Sequence, residues 1–287
     1  MNNAGESDTH GSKVWFITGT STGFGRSIAE ELIARGQRVV ATARDPKSLD
    51  DLVARAPERV LALRLDVTQS AQIEDAVARA RAHFGHVDVL VNNAGYSVLG
   101  AVEETSDAEL RATLEPMFFG AVALTRAFLP AMRERKSGTI VQITSVGGLT
   151  TAPGFGAYCA AKHALEALSE CMAAEVAEYG VRVLIVEPGA FRTRLFGGAF
   201  RDLPAMDAYA STVGALRKWR AETDGLQGGD PAKAATAIVD AVIAGAPTLR
   251  LPLGADAVQN IRDKLAKVRA DVDANEAIAN ATAFDAR

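Results

Sequence analysis

Residues 18–25 of the chain read Thr-Gly-Thr-Ser-Thr-Gly-Phe-Gly and begin where an apolar, β-branched run at residues 14–18 ends. The glycines at positions 19, 23 and 25 allow the backbone to turn tightly and to approach a pyrophosphate. A helix that starts near the last glycine would add free N–H groups and the positive end of its dipole. The octet therefore predicts a dinucleotide-binding turn between a first strand and a first helix. Its predicted contact residues are Gly19, Ser21, Thr22, Gly23, Phe24 and Gly25.

Apolar strands and helical stretches alternate outward from this turn. The strand-like runs are residues 14–18, 38–43, 60–65, 87–91, 139–144, 181–186 and 248–253. The stretches with helical spacing are residues 25–35, 49–56, 70–84, 107–135, 158–179 and 231–243. Near-continuous apolar strands between helices are typical of a parallel sheet that is covered on both faces. The prediction is α/β: one doubly wound, Rossmann-type domain with a parallel sheet of about seven strands and helices on both faces.

No break in composition divides this domain. We expect a flexible segment at residues 1–12, the Rossmann-type domain at residues 13–254, and a C-terminal helix with a loose end at residues 255–287. Residues 192–230 interrupt the alternation and are rich in glycine, phenylalanine and charge. We therefore expect them to form an insertion over the site.

Composition excludes several classes of protein. The 287 residues include 31 basic and 35 acidic side chains, and the net charge of −4 argues against a nucleic-acid or anionic-membrane binder. No apolar stretch of about 18 residues is free of charge, so no membrane span is expected. Cys159 and Cys171 lie in one predicted helix, roughly 18 Å apart, which is too far for a disulfide. With no signal-peptide pattern at the start, this predicts a reducing, cytoplasmic location. The histidines and cysteines form no spaced set, so no metal site is predicted.

The end of the second predicted strand bears on the choice of dinucleotide. Ala43 supplies no acid for a ribose 2′-hydroxyl, and Arg44 follows it directly. Because a guanidinium group matches a phosphate as a bidentate pair, this strand end predicts a dinucleotide with a 2′-phosphate. Asp45 leaves a second interpretation open, since it could pair with Arg44 or replace the missing acid.

Further residues stand at the ends of other predicted strands. They are Asp66 and Val67 after the third strand, Asn93, Ala94 and Gly95 after the fourth, and Pro188, Gly189 and Thr193 after the sixth. The carboxyl ends of parallel strands meet at the edge where open α/β sheets bind ligands, so we expect these residues to border one site. The polar side chains among them could contact the cofactor or only hold adjacent loops, and both readings stay open.

Three side chains supply an acid/base arrangement. Ser145 ends the fifth strand, and Tyr158 and Lys162 lie one helical turn apart on one helix face. A free phenol has a pKa of about 10, and a neighbouring ammonium group should lower it. We therefore expect Tyr158 to exchange a proton near neutral pH, with Ser145 bonded to the same substrate oxygen.

Together these motifs resemble the short-chain dehydrogenase/reductase family in its single-domain form, over roughly residues 12–253. They are T-G-x-x-x-G-x-G at 18–25, N-N-A-G at 92–95, Ser145, Y-x-x-x-K at 158–162 and P-G at 188–189. The resemblance implies NAD(P)-dependent oxidation of an alcohol or reduction of a carbonyl compound, with Tyr158 as acid/base and Ser145 orienting the substrate oxygen. It implies that Lys162 lowers the tyrosine pKa and holds the nicotinamide ribose. With Arg44, NADP(H) is the expected cofactor and NAD(H) remains possible.

The resemblance also bears on branch, assembly and substrate. Residues 39–45 and 186–189 look like those of hydroxysteroid- and retinol-type dehydrogenases, and the family usually forms dimers or tetramers. Residues 192–230 would include the variable substrate loop. The aromatic and aliphatic side chains of Phe155, Phe191, Leu195 and Phe196 would make the mouth apolar, which favours a small hydrophobic substrate.

One position departs from the family pattern. Met117 stands where the family has an asparagine that relays protons through water to the lysine. The alternative function is therefore a cofactor-binding protein with weak or no turnover, acting as a sensor or partner-binding module. Pro116 cannot donate to the carbonyl four residues back, so we expect the helix to open near Ala112. A freed carbonyl could then hold the relay water.

Overall fold

The computed structural model describes residues 11–193, 200–245 and 248–284. Its strands are β1 Val14–Ile17, β2 Arg38–Ala43, β3 Val60–Arg64, β4 Val89–Asn92, β5 Ser97–Leu99, β6 Gly138–Ile143, β7 Val181–Pro188, β8 Phe200–Asp202 and β9 Arg250–Leu253. Its helices are α1 Gly23–Ala34, α2 Asp50–Arg55, α3 Ser70–Phe84, α4 Asp107–Leu114, α5 Gly120–Glu134, α6 Gly156–Val176, α7 Ala215–Thr223, α8 Pro231–Ile243 and α9 Ala255–Asn280.

Seven of the strands form one parallel sheet in the order β3-β2-β1-β4-β6-β7-β9. The predicted doubly wound α/β fold is therefore confirmed. The winding reverses between β1 and β4, and ligands of such sheets bind outside the strand ends at this switch point.

Side-chain alternation along each strand builds a core on both faces of the sheet. Trp15 and Ile17 of β1 join a cluster with α1, α2 and α8, whereas Phe16 joins a second cluster with α3, α5 and α6. All three side chains are fully buried. A strand with helices on both faces has to be apolar at successive positions, which is why these runs were recognisable in the sequence.

The helical stretch Asp107–Glu134 is long and apolar enough, by length and composition, to cross a membrane. In this fold its C-terminal part lies against the sheet, where Leu124, Phe128 and Met132 are buried in the second cluster. A helix in the core of a globular domain can be equally long and apolar. The length and composition of this stretch are therefore only weak support for a membrane-spanning helix.

A second, two-stranded sheet ties the insertion to the domain. Strand β5 pairs in parallel with β8, the first described part of the insertion after residue 193. Arg217 of α7 donates to the buried Glu104 at 2.8 Å, which holds the following helix against the loop after β5. The insertion is therefore anchored at two places beside the end of β4.

Candidate active site

A cleft of about 710 Å³ runs along the carboxyl ends of the central strands. It brings together all but one of the cofactor and catalytic residues expected from the sequence: Gly19, Ser21, Thr22, Gly23, Phe24, Arg44, Asp66, Val67, Asn93, Ala94, Gly95, Ser145, Tyr158, Lys162, Pro188, Gly189 and Thr193. Gly25 is the exception, because it lies behind the turn and does not line the described cleft. The switch point of the sheet and the cleft therefore coincide.

Only some of the residues that were expected to form an apolar mouth line the cleft. Phe191 lines the cleft and packs edge-on against Phe24, with ring centroids 5.1 Å apart. Phe155 does not line the described cleft, because its ring packs instead against Tyr158 and Phe200. The expected mouth residues 195 and 196 lie outside the described residues.

The turn between β1 and α1 depends on its glycines. Gly19 and Gly23 have φ angles of +70° and +61°, which favour residues without a Cβ. The N-cap residue Thr22 makes no side-chain hydrogen bond to α1 in the described structure, and the first turn of α1 contains no acidic side chain. The first N–H groups of the helix are therefore left to an anion from outside.

Gly25 serves the close packing of this turn. A Cβ at this position would lie 2.5 Å from Asn93 Nδ2 and even closer to the carbonyl oxygen of Gly19. We expect Gly25→Ala to cost about 1–3 kcal/mol of folding free energy and to weaken cofactor binding, because the turn must move to admit the methyl group.

Thermal unfolding and a fluorescence titration with NADPH measure both effects. Gly228→Ala is the matched control, since a Cβ there meets nothing within 4 Å. If Gly25→Ala keeps the melting temperature and the Kd of the wild type, the turn can admit a methyl group at residue 25, and this account of Gly25 is wrong.

Asn93 holds the turn from the neighbouring strand end. Its side-chain amide donates to the carbonyl oxygens of Thr18 at 2.8 Å and Gly19 at 3.1 Å. The backbone N–H groups of Asn93 and Ala94 both donate to the Thr18 hydroxyl. The sequence left two roles open for Asn93, contact with the cofactor and holding of adjacent loops. The structure shows Asn93 holding the loop.

Asp66 likewise engages its own loop. Its carboxylate accepts from the backbone N–H of Thr68 at 3.0 Å and from the Thr68 hydroxyl at 2.8 Å. This arrangement fixes the turn that leads into α3, while the residue still borders the cleft.

Arg44 directly follows β2, is exposed to solvent and lines the cleft. The Asp45 carboxylate caps the following turn by accepting from the Lys47 N–H at 3.1 Å. Among the described residues no ion pair involves Arg44, so the pairing with Asp45 that the sequence left open is not seen. The guanidinium group is thus placed to meet an anion in the cleft.

Ser145, Tyr158 and Lys162 meet at the wall of the cleft formed by β6 and α6. Ser145 lies within hydrogen-bond reach of the Tyr158 phenol, and its oxygen also accepts from the Gly147 N–H at 3.0 Å. The Lys162 ammonium donates to the carbonyl oxygen of Ile143 at 2.8 Å and lies 5.8 Å from the centre of the Tyr158 ring. Both Tyr158 and Lys162 are buried.

Burial decides the protonation of this group. It raises the pKa of Tyr158 to about 12, although the hydrogen bond with Ser145 acts in the opposite direction. Burial also lowers the pKa of Lys162 to about 8. In the cofactor-free protein the pKa of Tyr158 is therefore raised, because desolvation is the largest effect on it. The expected lowering by Lys162 stays a prediction for the cofactor-bound protein. Tyr158 is a neutral phenol at pH 7, the form that can donate a proton.

The helix before this site opens at Pro116, as expected. A π-helical turn, Glu115–Phe119, separates α4 from α5. The carbonyl oxygen of Ala112 has lost its helical donor and accepts instead from the Tyr96 hydroxyl at 2.8 Å. The carbonyl that the proline releases is thus already engaged by a side chain.

Met117 fills the space below the catalytic group. Its side chain is buried against Tyr158, Cys159 and Ala161. A small enclosed cavity beside Met117 and Lys162 is too narrow for a water molecule, but both side chains also line the open cleft. The helix is interrupted as the backbone relay requires, and the relay water itself stays a prediction.

A buried acidic pair lies behind Lys162 and was not foreseen. Glu166 follows Lys162 by one helical turn, and Arg250 donates to it at 2.7 Å. Arg250 also pairs with Glu187, whose side chain is fully buried at the end of β7. Burial and the neighbouring Glu166 carboxylate raise the pKa of Glu187 to about 7. The sequence did carry one sign of this arrangement: Tyr158, Lys162 and Glu166 are spaced four residues apart, which places all three on one helix face.

Comparisons with known proteins agree with this geometry. The family described as short chain dehydrogenase matches residues 13–204. The oxidoreductase BOA17 of Botryotinia fuckeliana is 39% identical over 248 residues, which cover 86% of this chain and 90% of that protein. A crystal structure of a short-chain dehydrogenase from Streptomyces avermitilis is 49% identical with a TM-score of 0.90, covering 96% of this chain and 100% of the other. A short chain dehydrogenase from Burkholderia cenocepacia, solved in complex with NADP, is 27% identical with a TM-score of 0.71, covering 92% and 97%.

Proposed function

The chain belongs to the short-chain dehydrogenase family and is an oxidoreductase of that family, and from this premise we propose a specific activity. The protein reduces the carbonyl group of a small hydrophobic compound, or oxidises the corresponding alcohol, with NADP(H) as the preferred cofactor and Tyr158 as the acid/base. The observation that carries this proposal is the meeting of Ser145, Tyr158 and Lys162 in the cleft that the turn 18–25 also lines.

The residues present fit a nicotinamide dinucleotide. The turn at Gly19 and Gly23 has no side chain that would keep a pyrophosphate away, and the N-terminus of α1 lacks a side-chain cap in the described structure. Arg44, which follows β2, lines the same cleft and would meet a ribose 2′-phosphate there. When bound, the cofactor supplies or accepts the hydride.

Side chains of the protein supply the proton that the substrate oxygen receives. Tyr158, neutral at pH 7, donates its phenolic proton to the oxygen of the carbonyl substrate. Ser145 donates a hydrogen bond to the same oxygen and holds it next to the phenol. Lys162, fixed by the Ile143 carbonyl, would hold the nicotinamide ribose through its ammonium group. The same phenol serves as the proton donor in reduction and, as phenolate, as the proton acceptor in oxidation.

The walls of the cleft support a hydrophobic substrate. Phe24, Phe191 and Phe200 line it. Arg201 also borders the cleft, but its guanidinium group donates to the Glu109 carboxylate at 2.8 Å. Because the Arg201 guanidinium is already paired with Glu109, it is not available to bind a charged substrate. The aromatic side chains leave an apolar surface at the mouth.

Arg44→Ala is expected to remove most of the preference for NADP(H) over NAD(H). A charge-assisted hydrogen bond to a phosphate contributes about 1.5–3 kcal/mol, or roughly ten- to a hundredfold in Kd. Fluorescence titration with both reduced cofactors measures the ratio. Arg79→Ala on α3, whose guanidinium group is exposed, is the control that should keep the wild-type ratio. Equal dissociation constants in the wild type would contradict the assignment.

The activity is tested by following the absorbance of reduced nicotinamide. NADPH and NADH are each offered with a panel of aldehydes, ketones, steroids and quinones. We expect protein-dependent oxidation of NADPH with at least one hydrophobic carbonyl compound. Cofactor binding without oxidation across the whole panel would count against the proposal.

Met117 favours a second candidate function. A buried methionine, whose side chain has no hydrogen-bond donor, stands where the family has the relay asparagine. A protein of this kind would bind the cofactor and turn over slowly or not at all, acting as a sensor or partner-binding module. Retention of Ser145, Tyr158 and Lys162 favours the enzyme, and the panel assay separates the two.

Three further proposals rest on the sequence. We propose that the protein works in the cytoplasm, in line with two cysteines that are both free in the structure. We propose that it forms a homodimer or homotetramer. We also propose that it has no nucleic-acid partner, in line with its net charge of −4. We propose no membrane span, because Leu124, Phe128 and Met132 of the candidate stretch pack in the core.

A further inference from the structure

Helix α9 extends away from the domain. It spans Ala255–Asn280, about 39 Å at 1.5 Å per residue. Its beginning is anchored: Ala257 is fully buried, and Val258 and Ile261 are half-buried. From residue 265 to residue 280 every position is exposed. The second half of the helix is therefore an arm of about 24 Å that touches little of its own domain.

Such an arm is poorly stable by itself. Isolated helices shorter than about 12–15 residues are marginal in water, and most helical stability in proteins comes from tertiary packing of an apolar face, which this arm lacks. The arm nevertheless exposes Leu265, Val268 and Val272 at 58%, 44% and 63%. A contact that covers these three side chains would supply the missing packing.

The spacing of the apolar residues specifies the kind of contact. Val258, Ile261, Leu265, Val268 and Val272 follow one another at steps of three, four, three and four. This alternation is the a/d repeat of a coiled coil, a narrow seam that fits another helix. The seam begins on the anchored turns and continues along the arm, where nothing in the described structure covers it.

Charges beside the seam indicate the partner and its direction. The flanking side chains of the first part are basic and those of the second part are acidic: Arg262, Lys264 and Arg269, then Asp271 and Glu276. A parallel pair of identical helices would place like charges side by side. An antiparallel pair places the basic part of each helix beside the acidic part of the other, and such pairs set partner and orientation.

We propose that α9 forms an antiparallel two-helix coiled coil with α9 of a second copy of this chain, through Leu265, Val268 and Val272. The partner is a second copy because the charge pattern is complementary to itself. An anionic membrane fits less well, since Asp271, Asp273 and Glu276 would face the lipid headgroups. This interface is independent of the proposed activity, which resides in the cleft.

Sedimentation velocity of the full-length protein over a range of concentrations tests the proposal. Leu265→Glu puts a charge into the seam and should halve the mass of the assembly. Ala270→Glu puts the same charge on the exposed opposite face of the same helix and should leave the mass unchanged. Far-UV circular dichroism and the melting temperature of the domain establish that both variants are folded.

Three outcomes would overturn the proposal. They are a monomeric wild type, an unchanged mass in Leu265→Glu, or an equal loss in Ala270→Glu. A wild-type monomer that sediments with anionic lipid vesicles would assign the seam to a membrane instead.

A charge exchange tests helix-to-helix contact directly. One variant carries Arg262→Glu, Lys264→Glu and Arg269→Glu, and the other carries Asp271→Lys and Glu276→Lys. Each alone should associate at least about tenfold more weakly than the wild type, because all flanking charges then have one sign. An equimolar mixture should regain the mass of the wild-type assembly. A mixture that stays dissociated would refute pairing between two α9 helices.

Discussion

Tyr158→Phe is expected to lower kcat by about 10²- to 10⁴-fold while the Kd for NADPH stays within a factor of about two. The substitution removes only the phenolic hydroxyl, which is the proton donor of the proposed reaction. The ring keeps its packing against Met117 and Phe155, so the cleft should retain its shape. Steady-state kinetics with an active carbonyl compound and a cofactor titration measure the two quantities.

Tyr179→Phe is the matched control, since Tyr179 follows α6 at its far end and does not line the described cleft. It should leave kcat unchanged. A near-normal kcat in Tyr158→Phe would remove the assignment of this residue as the acid/base.

Arg250→Leu is expected to lower the free energy of unfolding by about 3–5 kcal/mol at pH 8. The guanidinium group is the cationic partner of Glu166 and Glu187, whose side chains are both buried. Without it, two carboxylates remain close together in a site that water does not reach. Chemical denaturation at constant pH measures the loss. Arg79→Leu, which removes an exposed i, i+4 pair on α3, should cost less than about 0.5 kcal/mol.

The deficit should depend on pH in a stated direction. The folded-state pKa of Glu187 is raised to about 7, above the value of about 4.3 for an unfolded chain. The folded protein therefore binds the Glu187 proton more tightly than the unfolded chain does. The stability that this proton contributes is fully present below about pH 4.3 and is lost as the pH rises through about 7.

Arg250→Leu should accordingly be less damaging at pH 5 than at pH 8. Glu187→Gln, which removes the titrating group, should flatten the same part of the pH profile. A deficit in Arg250→Leu that is the same at both pH values would show that Glu187 does not titrate in the folded protein.

The sheet and the cofactor turn were predictable from sequence because their signals are local. A strand buried on both faces is apolar at successive positions, as in residues 14–17, and the glycines of the turn stand directly after it. Strands β5 and β8 were not predicted. Three residues are too few to show a period of two, and they pair across about a hundred residues of chain.

The electrostatics of the site could not be predicted in the same way. The spacing of Tyr158 and Lys162 places them on one helix face, but the pKa of each depends on burial by other elements. The pairing of Glu187 with Arg250 joins two neighbouring strands whose register the sequence does not specify. Pro116 did mark the helix opening, whereas the engagement of the Ala112 carbonyl by Tyr96 depends on a loop after β4.

Hydride transfer from the cofactor to a substrate carbon is the central claim, and isotopic labelling tests it most directly. NADPH that carries deuterium at both hydrogen positions of nicotinamide C4 is incubated with the protein and a carbonyl compound that is active in the panel, and the product is examined by mass spectrometry. With the wild type we expect an alcohol that carries deuterium on the former carbonyl carbon. With Tyr158→Phe we expect the rate at which this labelled alcohol forms to be at least roughly 10²-fold lower. The absence of deuterated alcohol from every compound of the panel, in a protein that binds NADPH, would contradict the proposed reaction.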